Sequence, residues 1–220
     1  MTVIHVVVEG ETEEAFINQV LAPHFWQRGL NLSPHIVATR RTLRGISRGG
    51  ITQYHKLKKE IHLYLPLANT TAVTTMIDFY GLPAEFPGRD SLPQGGSCYD
   101  RVQHLEKALA EDIGYPRFIP YLSLHEFETL VLAADPADLA SAFPDSQASQ
   151  FAAELPKLGP PEEINEGEDS HPSARLVGAV PEYRKRIDGP RITERTGLAQ
   201  LHSRCPHFDQ WVGRLEALAG

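Results

Sequence analysis

The chain has 220 residues, of which 41% are hydrophobic and 22% are charged, and its formal net charge at pH 7 is −7. These values are typical of a globular protein of one domain, or one domain with an extension, and the acidic balance argues against a surface that binds nucleic acid throughout. No apolar run approaches the roughly 18 residues of a membrane span, and Met1 leads into a predicted strand rather than a signal peptide. The two cysteines, Cys98 and Cys205, show no paired spacing. We therefore expect a cytoplasmic protein without disulfides or membrane association.

The first predicted element is a buried strand over residues 3–8, a run rich in β-branched side chains that ends on Glu9. Gly10 allows a sharp turn there, and Thr12 is a candidate N-cap for the helix that follows. Glu13 lies in the first turn of this helix, where an acid also offsets the helix dipole. An acid at the carboxyl end of a parallel strand stands where open α/β sheets bind ligands.

The next segments alternate between strand and helix patterns. The predicted strands cover 32–39, 70–77 and 118–124, the predicted helices cover 52–65 and 99–113, and the predicted loops cover 40–50 and 81–97. This alternation predicts a Rossmann-like α/β fold, with a mostly parallel sheet flanked by helices over residues 1–134. Residues 135–220 lack strand character and predict a helical C-terminal extension, with a mobile Pro- and Gly-rich linker over 158–171.

Three carboxylates follow separate predicted strands, because Asp78 ends the third and Glu126 follows the fourth just as Glu9 follows the first. In a parallel sheet these ends share one edge, so the side chains are expected to converge. Convergent carboxylates require a counter-charge, and oxygen ligands suit Mg²⁺ or Mn²⁺. Such a site is typical of phosphodiester or phosphoryl chemistry. We favour Glu126 over Glu128 as a ligand, although both acids also suit the start of a helix.

Basic residues are concentrated in two places. Arg40, Arg41 and Arg44 lie in the predicted loop near the acidic edge and are candidate phosphate contacts. The second group contains Arg184, Lys185, Arg186, Arg191 and Arg195. His125 either contacts metal or phosphate or is a hydrogen-bonded structural histidine. His202, Cys205 and His207 would form an incomplete zinc site.

Several ordered motifs resemble a known family. The strand ending in Glu-Gly and the second strand ending in Asp resemble the TOPRIM (topoisomerase–primase) domain, and the first motif is closest to OLD-type (overcoming lysogenization defect) nucleases. The whole set resembles the TOPRIM-like domain of unknown function 4276. Its motifs are Val8-Glu9-Gly10-x-Thr12-Glu13, Asp78-Phe79-Tyr80-Gly81, His125-Glu126-Phe127-Glu128, Pro172-Ser173-x-Arg175 and Cys205-Pro206-His207-Phe208.

This resemblance implies a TOPRIM-like sheet and a Mg²⁺- or Mn²⁺-dependent nuclease with an ATPase partner and a role in phage defence. DNA is favoured over RNA as its substrate, although the sequence does not decide between them. The resemblance also implies that Glu9, Asp78 and Glu126 are catalytic and that Glu13 and Glu128 complete the metal ligands. Expected nucleic-acid contacts are Arg40, Arg41, Arg44, His125, Arg175 and Lys185; homo-oligomer formation stays open.

Two positions differ from the family pattern, because Tyr80 replaces the second Asp of Asp-x-Asp and Ala174 stands where a lysine is expected. Arg175 or Lys185 would then supply the missing positive charge, although neither is an equivalent point charge at that position. The alternative function is a weakly active or inactive binding or regulatory subunit of an ATPase complex. A small-molecule phosphotransferase ranks last, since no Walker-type glycine loop is present.

Overall fold

A five-stranded sheet forms the centre of the protein in a computed structural model that describes residues 2–42, 45–48, 51, 53–144, 146–164 and 170–219. The strands are β1 Thr2–Val8, β2 Leu30–Ile36, β3 Ala38–Thr42, β4 Gly45–Arg48, β5 Thr70–Asp78, β6 Phe118–Ile119 and β7 Leu122–Ser123. The central strand β1 runs parallel to both β2 and β5, and β5 runs parallel to β6 and β7. The predicted α/β class with a parallel sheet is confirmed.

Helices cover both faces of this sheet. They are α1 Glu11–Phe16, α2 Ala22–Trp26, α3 Tyr54–Tyr64, α4 Cys98–Ile113, α5 Glu128–Leu132, α6 Pro136–Ala142, α7 Ser146–Glu154, α8 Pro172–Ala179, α9 Lys185–Thr196, α10 Leu198–Arg204 and α11 Pro206–Glu216. Successive side chains of a strand point to opposite faces. Val7 accordingly packs with α3 and α4, while Ile4 and Val6 pack with α1 and the C-terminal helices.

The first helix begins differently from the prediction, because Gly10 rather than Thr12 is its N-cap. Gly10 is extended, with φ −152° and ψ −169°, and its N–H donates to Glu13 Oε2 at 2.8 Å. The Glu13 carboxylate thus accepts the backbone N–H of the N-cap residue, which is the half of a capping box that a glutamate at N3 supplies. After α1 the helix widens into a π-helical turn over Ile17–Leu21 and continues as α2.

Two predicted boundaries are also wrong. The predicted loop over 40–50 contains an antiparallel pair, β3 with β4, so backbone pairing outweighs its loop-like composition. The predicted strand over 118–124 is interrupted at Pro120, which has no N–H to donate to the ladder. Thr75 Oγ1 compensates by accepting from Tyr121 N at 2.9 Å and donating to Tyr121 O at 2.8 Å.

Part of the predicted mobile linker is packed into the protein. A short 3₁₀ helix covers Pro161–Glu163, and Glu162 is only 1% exposed. Its carboxylate accepts the backbone N–H groups of His207 and Phe208 at 2.9 and 3.0 Å, at the start of α11. Residues 165–169 of the linker lie outside the described residues.

The C-terminal helices share a hydrophobic cluster with the first strand and helix. Phe208 and Trp211 of α11 are buried there with Phe16 of α1. The division of the chain at residues 134 and 135 stays a prediction. Across the described part of the chain, none of the helices has the length and apolar character that crossing a bilayer requires.

Candidate active site

The ends of β1 and β5 bring Glu9 and Asp78 together. Val8 pairs with Met76, so Glu9 leaves β1 beside the last residues of β5. Glu9 Oε2 accepts the backbone N–H of Asp78 at 3.3 Å. The carboxyl ends of the two central strands therefore place both acids at one edge of the sheet, as the strand pattern predicted.

Glu13 joins this edge from the first turn of α1. It is 6% exposed, and its hydrogen bond to Gly10 N fixes the turn between strand and helix. Burial, together with the neighbouring carboxylates of Glu9 and Glu128, raises the pKa of Glu13 to about 7. Near neutral pH this side chain is thus close to the midpoint of its titration.

A left-handed turn at His125 directs two more acids toward Asp78. β7 ends at Ser123, and His125 has a φ of 63°, which is uncommon for a residue other than glycine. Phe127 N then donates to Asp78 Oδ1 at 3.0 Å. The chain therefore passes directly beside Asp78 between Glu126 and Glu128, although the strand stops before the predicted position.

Glu126 and Glu128 have different environments. Glu126 accepts from Ser173 N at 3.0 Å and lies 2.9 Å from His171 Nδ1, at the start of α8. Burial alone would raise the pKa of Glu126, but these bonds and the charge of Lys185 together lower it. Glu128 is 2% exposed; burial raises its pKa, and Lys185 Nζ lies 3.4 Å from its Oε1.

We call Glu9, Glu13, Asp78, Glu126 and Glu128 the carboxylate cluster. The pKa of Asp78 lies well above its ordinary value because of burial first, and then because of the four other carboxylates, with Glu128 acting more strongly than Glu126. The pKa of Lys185 is raised by the cluster despite burial. Lys185 thus contacts the cluster through Glu128, and burial with mutual repulsion favours the protonated forms of Glu13, Asp78 and Glu128.

The cluster has suitable donors for a cation but is not arranged as a finished coordination sphere. Among the side chains that the structure describes, no group of three or more His, Cys, Asp or Glu residues is placed to hold a metal ion. Protein hydrogen bonds engage the carboxylates instead. Carboxylate oxygens are the ligands that Mg²⁺ and Mn²⁺ prefer. The donor set therefore fits such an ion, while the ion itself stays a prediction.

The predicted nucleic-acid contacts do not all lie at the carboxylate cluster. Lys185 lies in the carboxylate cluster, whereas Arg175 Nε donates to the backbone oxygen of Ser170 at 2.6 Å. His125 is 1% exposed, with Nε2 3.0 Å from Glu162 O, so solvent and ligands do not reach it in this conformation. Arg44 lies outside the described residues, and Arg40 and Arg41 are described only as backbone of β3.

Sequence reasoning missed the groups that hold the acids in place. His171 and Ser173 bind Glu126, and the Tyr183 hydroxyl donates to Glu128 Oε1 at 3.4 Å. Tyr80, at the position of the second motif Asp, stacks on His171 with 5.3 Å between ring centroids. The Pro172-Ser173 motif was the available signal, although its partner was not evident from spacing.

The family model described as domain of unknown function 4276 matches residues 8–216, nearly the whole chain. The chain belongs to this family. All five members of the carboxylate cluster lie inside the matched DUF4276 segment. No protein with curated annotation matches the chain.

Solved structures similar to this DUF4276 chain include C-terminal regions of OLD proteins. The region from Burkholderia pseudomallei OLD has 14% identity and a TM-score of 0.46, with 99% of each chain covered. The region from Xanthomonas campestris pv. campestris OLD has 15% identity and a TM-score of 0.41, covering 98% of this chain and 97% of that one.

Proposed function

We propose that this protein is a divalent-metal-dependent nuclease of TOPRIM type that hydrolyses phosphodiester bonds, with DNA as the preferred substrate. The observation that carries the proposal is the carboxylate cluster, in which acids from the ends of two central strands and from the turn after β7 surround Asp78. Burying several acids together at a sheet edge destabilises the folded protein, and groups with pKa values perturbed in this way cluster at functional sites. The motif resemblance to TOPRIM nucleases supports the same function.

The charge balance indicates which residues would hold an ion. Glu9 and Asp78 come from adjacent strands and touch, so they are the proposed primary ligands, with Glu13 beside them. Glu128, rather than Glu126 as favoured from the sequence, is the proposed ligand from the third segment, because Glu126 Oε2 is already bound by Ser173 N and His171 Nδ1. When bound, Mg²⁺ or Mn²⁺ would polarise the phosphate and lower the pKa of a water molecule.

The protein groups have separate proposed tasks. Lys185 carries the positive charge expected of the family and would hold a phosphate oxygen at the cluster. Glu13 has a pKa of about 7 in the metal-free protein and would lose its proton when a cation binds beside it. Glu126 stays ionised through Ser173 and His171 and would fix α8 beside the site.

A weakly active or inactive regulatory subunit is the second candidate function. It is favoured by Tyr80, which stacks on His171 where the family motif has an acid. Protein hydrogen bonds to Asp78 and Glu126 would also have to loosen before these residues ligate a metal. In either function we propose an ATPase partner, a cytoplasmic location and a role in phage defence, as the motif resemblance implies.

Metal-dependent cleavage tests the proposal. Plasmid and single-stranded DNA are incubated with purified protein and Mn²⁺ or Mg²⁺, and wild type is compared with Asp78→Asn. Glu111→Gln is the matched control, since Glu111 is an exposed acid on α4 at 69% side-chain exposure. We expect wild type and the control to cleave and Asp78→Asn to lose at least about a hundredfold in rate.

Calorimetry with Mn²⁺ separates the two candidates. Binding that disappears in Asp78→Asn, without cleavage of either DNA, would favour the regulatory subunit. Equal cleavage by wild type and Asp78→Asn would identify a contaminant and contradict the nuclease proposal.

A further inference from the structure

Helix α9 carries an unusual concentration of positive charge for an acidic protein. Residues 184–196 contain five basic side chains and two acidic ones, although the whole chain has a net charge of −7. The basic residues Arg184, Lys185, Arg186, Arg191 and Arg195 are all exposed. One of the two acids, Asp188, is 6% exposed and is held by Arg184 through bonds of 2.8 and 3.0 Å. The exposed face of α9 therefore carries the two guanidinium groups of Arg191 and Arg195, four residues apart, beside one exposed acid, Glu194.

The start of α9 is connected to the carboxylate cluster. Lys185 contacts Glu128, and Arg186 forms an ion pair with Glu11 of α1. A depression of about 490 Å³ opens here, and it is lined by Glu11, Arg184, Lys185, Arg186 and Ile187. A ligand in this depression would thus contact Lys185, the side chain that also contacts Glu128 of the carboxylate cluster.

A second depression lies farther along the same helix. Its volume is about 370 Å³, and its lining includes Ser141 of α6 and, from α9, Arg191 and Arg195 together with the acids Asp188 and Glu194. Arg195 Nη1 donates to Ser141 Oγ at 2.9 Å, which leaves other guanidinium N–H groups directed to the surroundings. At about 1.5 Å of rise per residue, Arg191 and Arg195 lie roughly 7 and 13 Å from Arg186 along the axis. One strand of DNA presents about two to four phosphates over this length.

We propose that α9 binds the phosphate backbone of a nucleic acid and leads it from Arg191 and Arg195 to the carboxylate cluster. This inference rests on the proposed nuclease function and assigns the substrate contacts to a surface separate from the acids. Arginine suits the role because its planar guanidinium binds phosphate through two N–H groups. The contacts involve no base-reading group, so binding is expected to be independent of sequence.

Binding of a fluorescein-labelled single-stranded oligonucleotide in EDTA, followed by anisotropy, tests the inference without catalysis. The test variant is Arg191→Gln with Arg195→Gln. The matched control is Lys107→Gln with Lys157→Gln, which removes the same charge from side chains that are 79% and 68% exposed elsewhere. We expect the test variant to bind about tenfold more weakly, with a salt dependence of log K reduced by about 1.4, as for two lost phosphate contacts. The control should change Kd less than about twofold.

Several outcomes would overturn the inference: no binding by wild type, an equal loss in both variants, or polyglutamate binding as tightly as the oligonucleotide. The last result would indicate an acidic protein partner. Failure of the nuclease proposal is distinguishable from failure of this one. Binding through α9 without metal-dependent cleavage would contradict only the nuclease proposal. Cleavage by the Arg191→Gln, Arg195→Gln variant with unchanged KM would contradict only the assignment of α9.

Discussion

Glu13→Gln should make the metal-free protein more stable at alkaline pH. The Glu13 carboxyl has a pKa of about 7, against an ordinary value of 4.5, because it is buried beside Glu9 and Glu128. Between these pH values the folded chain keeps a proton that the unfolded chain has released. The stability contributed by protonated Glu13 is therefore fully present below about pH 4.5 and is lost as the pH rises through 7.

The interval between the two pKa values sets the size of the effect. At about 1.4 kcal/mol per pH unit it corresponds to roughly 3 kcal/mol at pH values above 7. Glutamine keeps an oxygen that can accept the Gly10 N–H, and it carries no charge. We expect Glu13→Gln to unfold with a free energy about 2 to 3 kcal/mol above that of wild type near pH 8, and within about 1 kcal/mol of it near pH 5.

Urea unfolding in EDTA, followed by tryptophan fluorescence, measures both values. Glu111→Gln provides the control for loss of an exposed charge. The reasoning fails if Glu13→Gln and wild type show the same change in stability between the two pH values. It also fails if Glu13→Gln is less stable than wild type near pH 8, since the hydrogen bond to Gly10 would then outweigh the repulsion.

Three further predictions concern the site, the helix packing and acid stability. Mn²⁺ should raise the melting temperature of wild type by several degrees near pH 8 but leave Asp78→Asn nearly unchanged, because the variant lacks a proposed primary ligand and would not bind the ion. Gly189→Ala should cost about 1 to 3 kcal/mol in urea unfolding, since its Cβ would lie 2.9 Å from Phe127 Cε1; Gly213→Ala, with open space, should gain up to about 1 kcal/mol. Burial beside another imidazole lowers the pKa of His35 to about 4. Stability is thus lost as the pH falls from 6.5 toward 4, and His35→Gln should remove about 1 kcal/mol of this loss, given partial exposure. An equal loss of unfolding free energy between pH 6.5 and pH 4 in wild type and His35→Gln would contradict the last prediction.

The sheet was predictable because its central strands are runs rich in β-branched side chains without a glycine or proline. β1 and β5 are buried on both faces, so their sequences contain few residues that suit another structure. Prediction failed where a single interaction outweighed composition. Pro120 interrupted a strand that the hydrophobic pattern predicted to be continuous, and the first helix starts after Gly10, whose N–H donates to Glu13, rather than after Thr12.

Only the site residues at the ends of strands could be predicted from the sequence. Glu9 and Asp78 were identified because parallel strands end at one edge, which follows from topology alone. The choice between Arg175 and Lys185 needed the path of the chain after α8. Arg175 turns back to Ser170, whereas α9 starts with Lys185 beside Glu128. The spacing of residues in the sequence does not show that Lys185 lies beside Glu128.

The repulsion among the acids links the stability of the fold to its proposed activity. Repulsion within the carboxylate cluster raises the pKa of Asp78, and attraction to the same acids raises the pKa of Lys185. The Lys185 ammonium is therefore stabilised while the acids are still partly protonated. A cation would release those protons and compete with Lys185 for Glu128. Lys185 would then be freed toward the depression at the start of α9, where a phosphate is proposed to arrive. Metal and nucleic acid should accordingly bind with positive cooperativity, since each removes an interaction that opposes the other. An oligonucleotide affinity that is unchanged by Mn²⁺ under non-cleaving conditions would contradict this coupling.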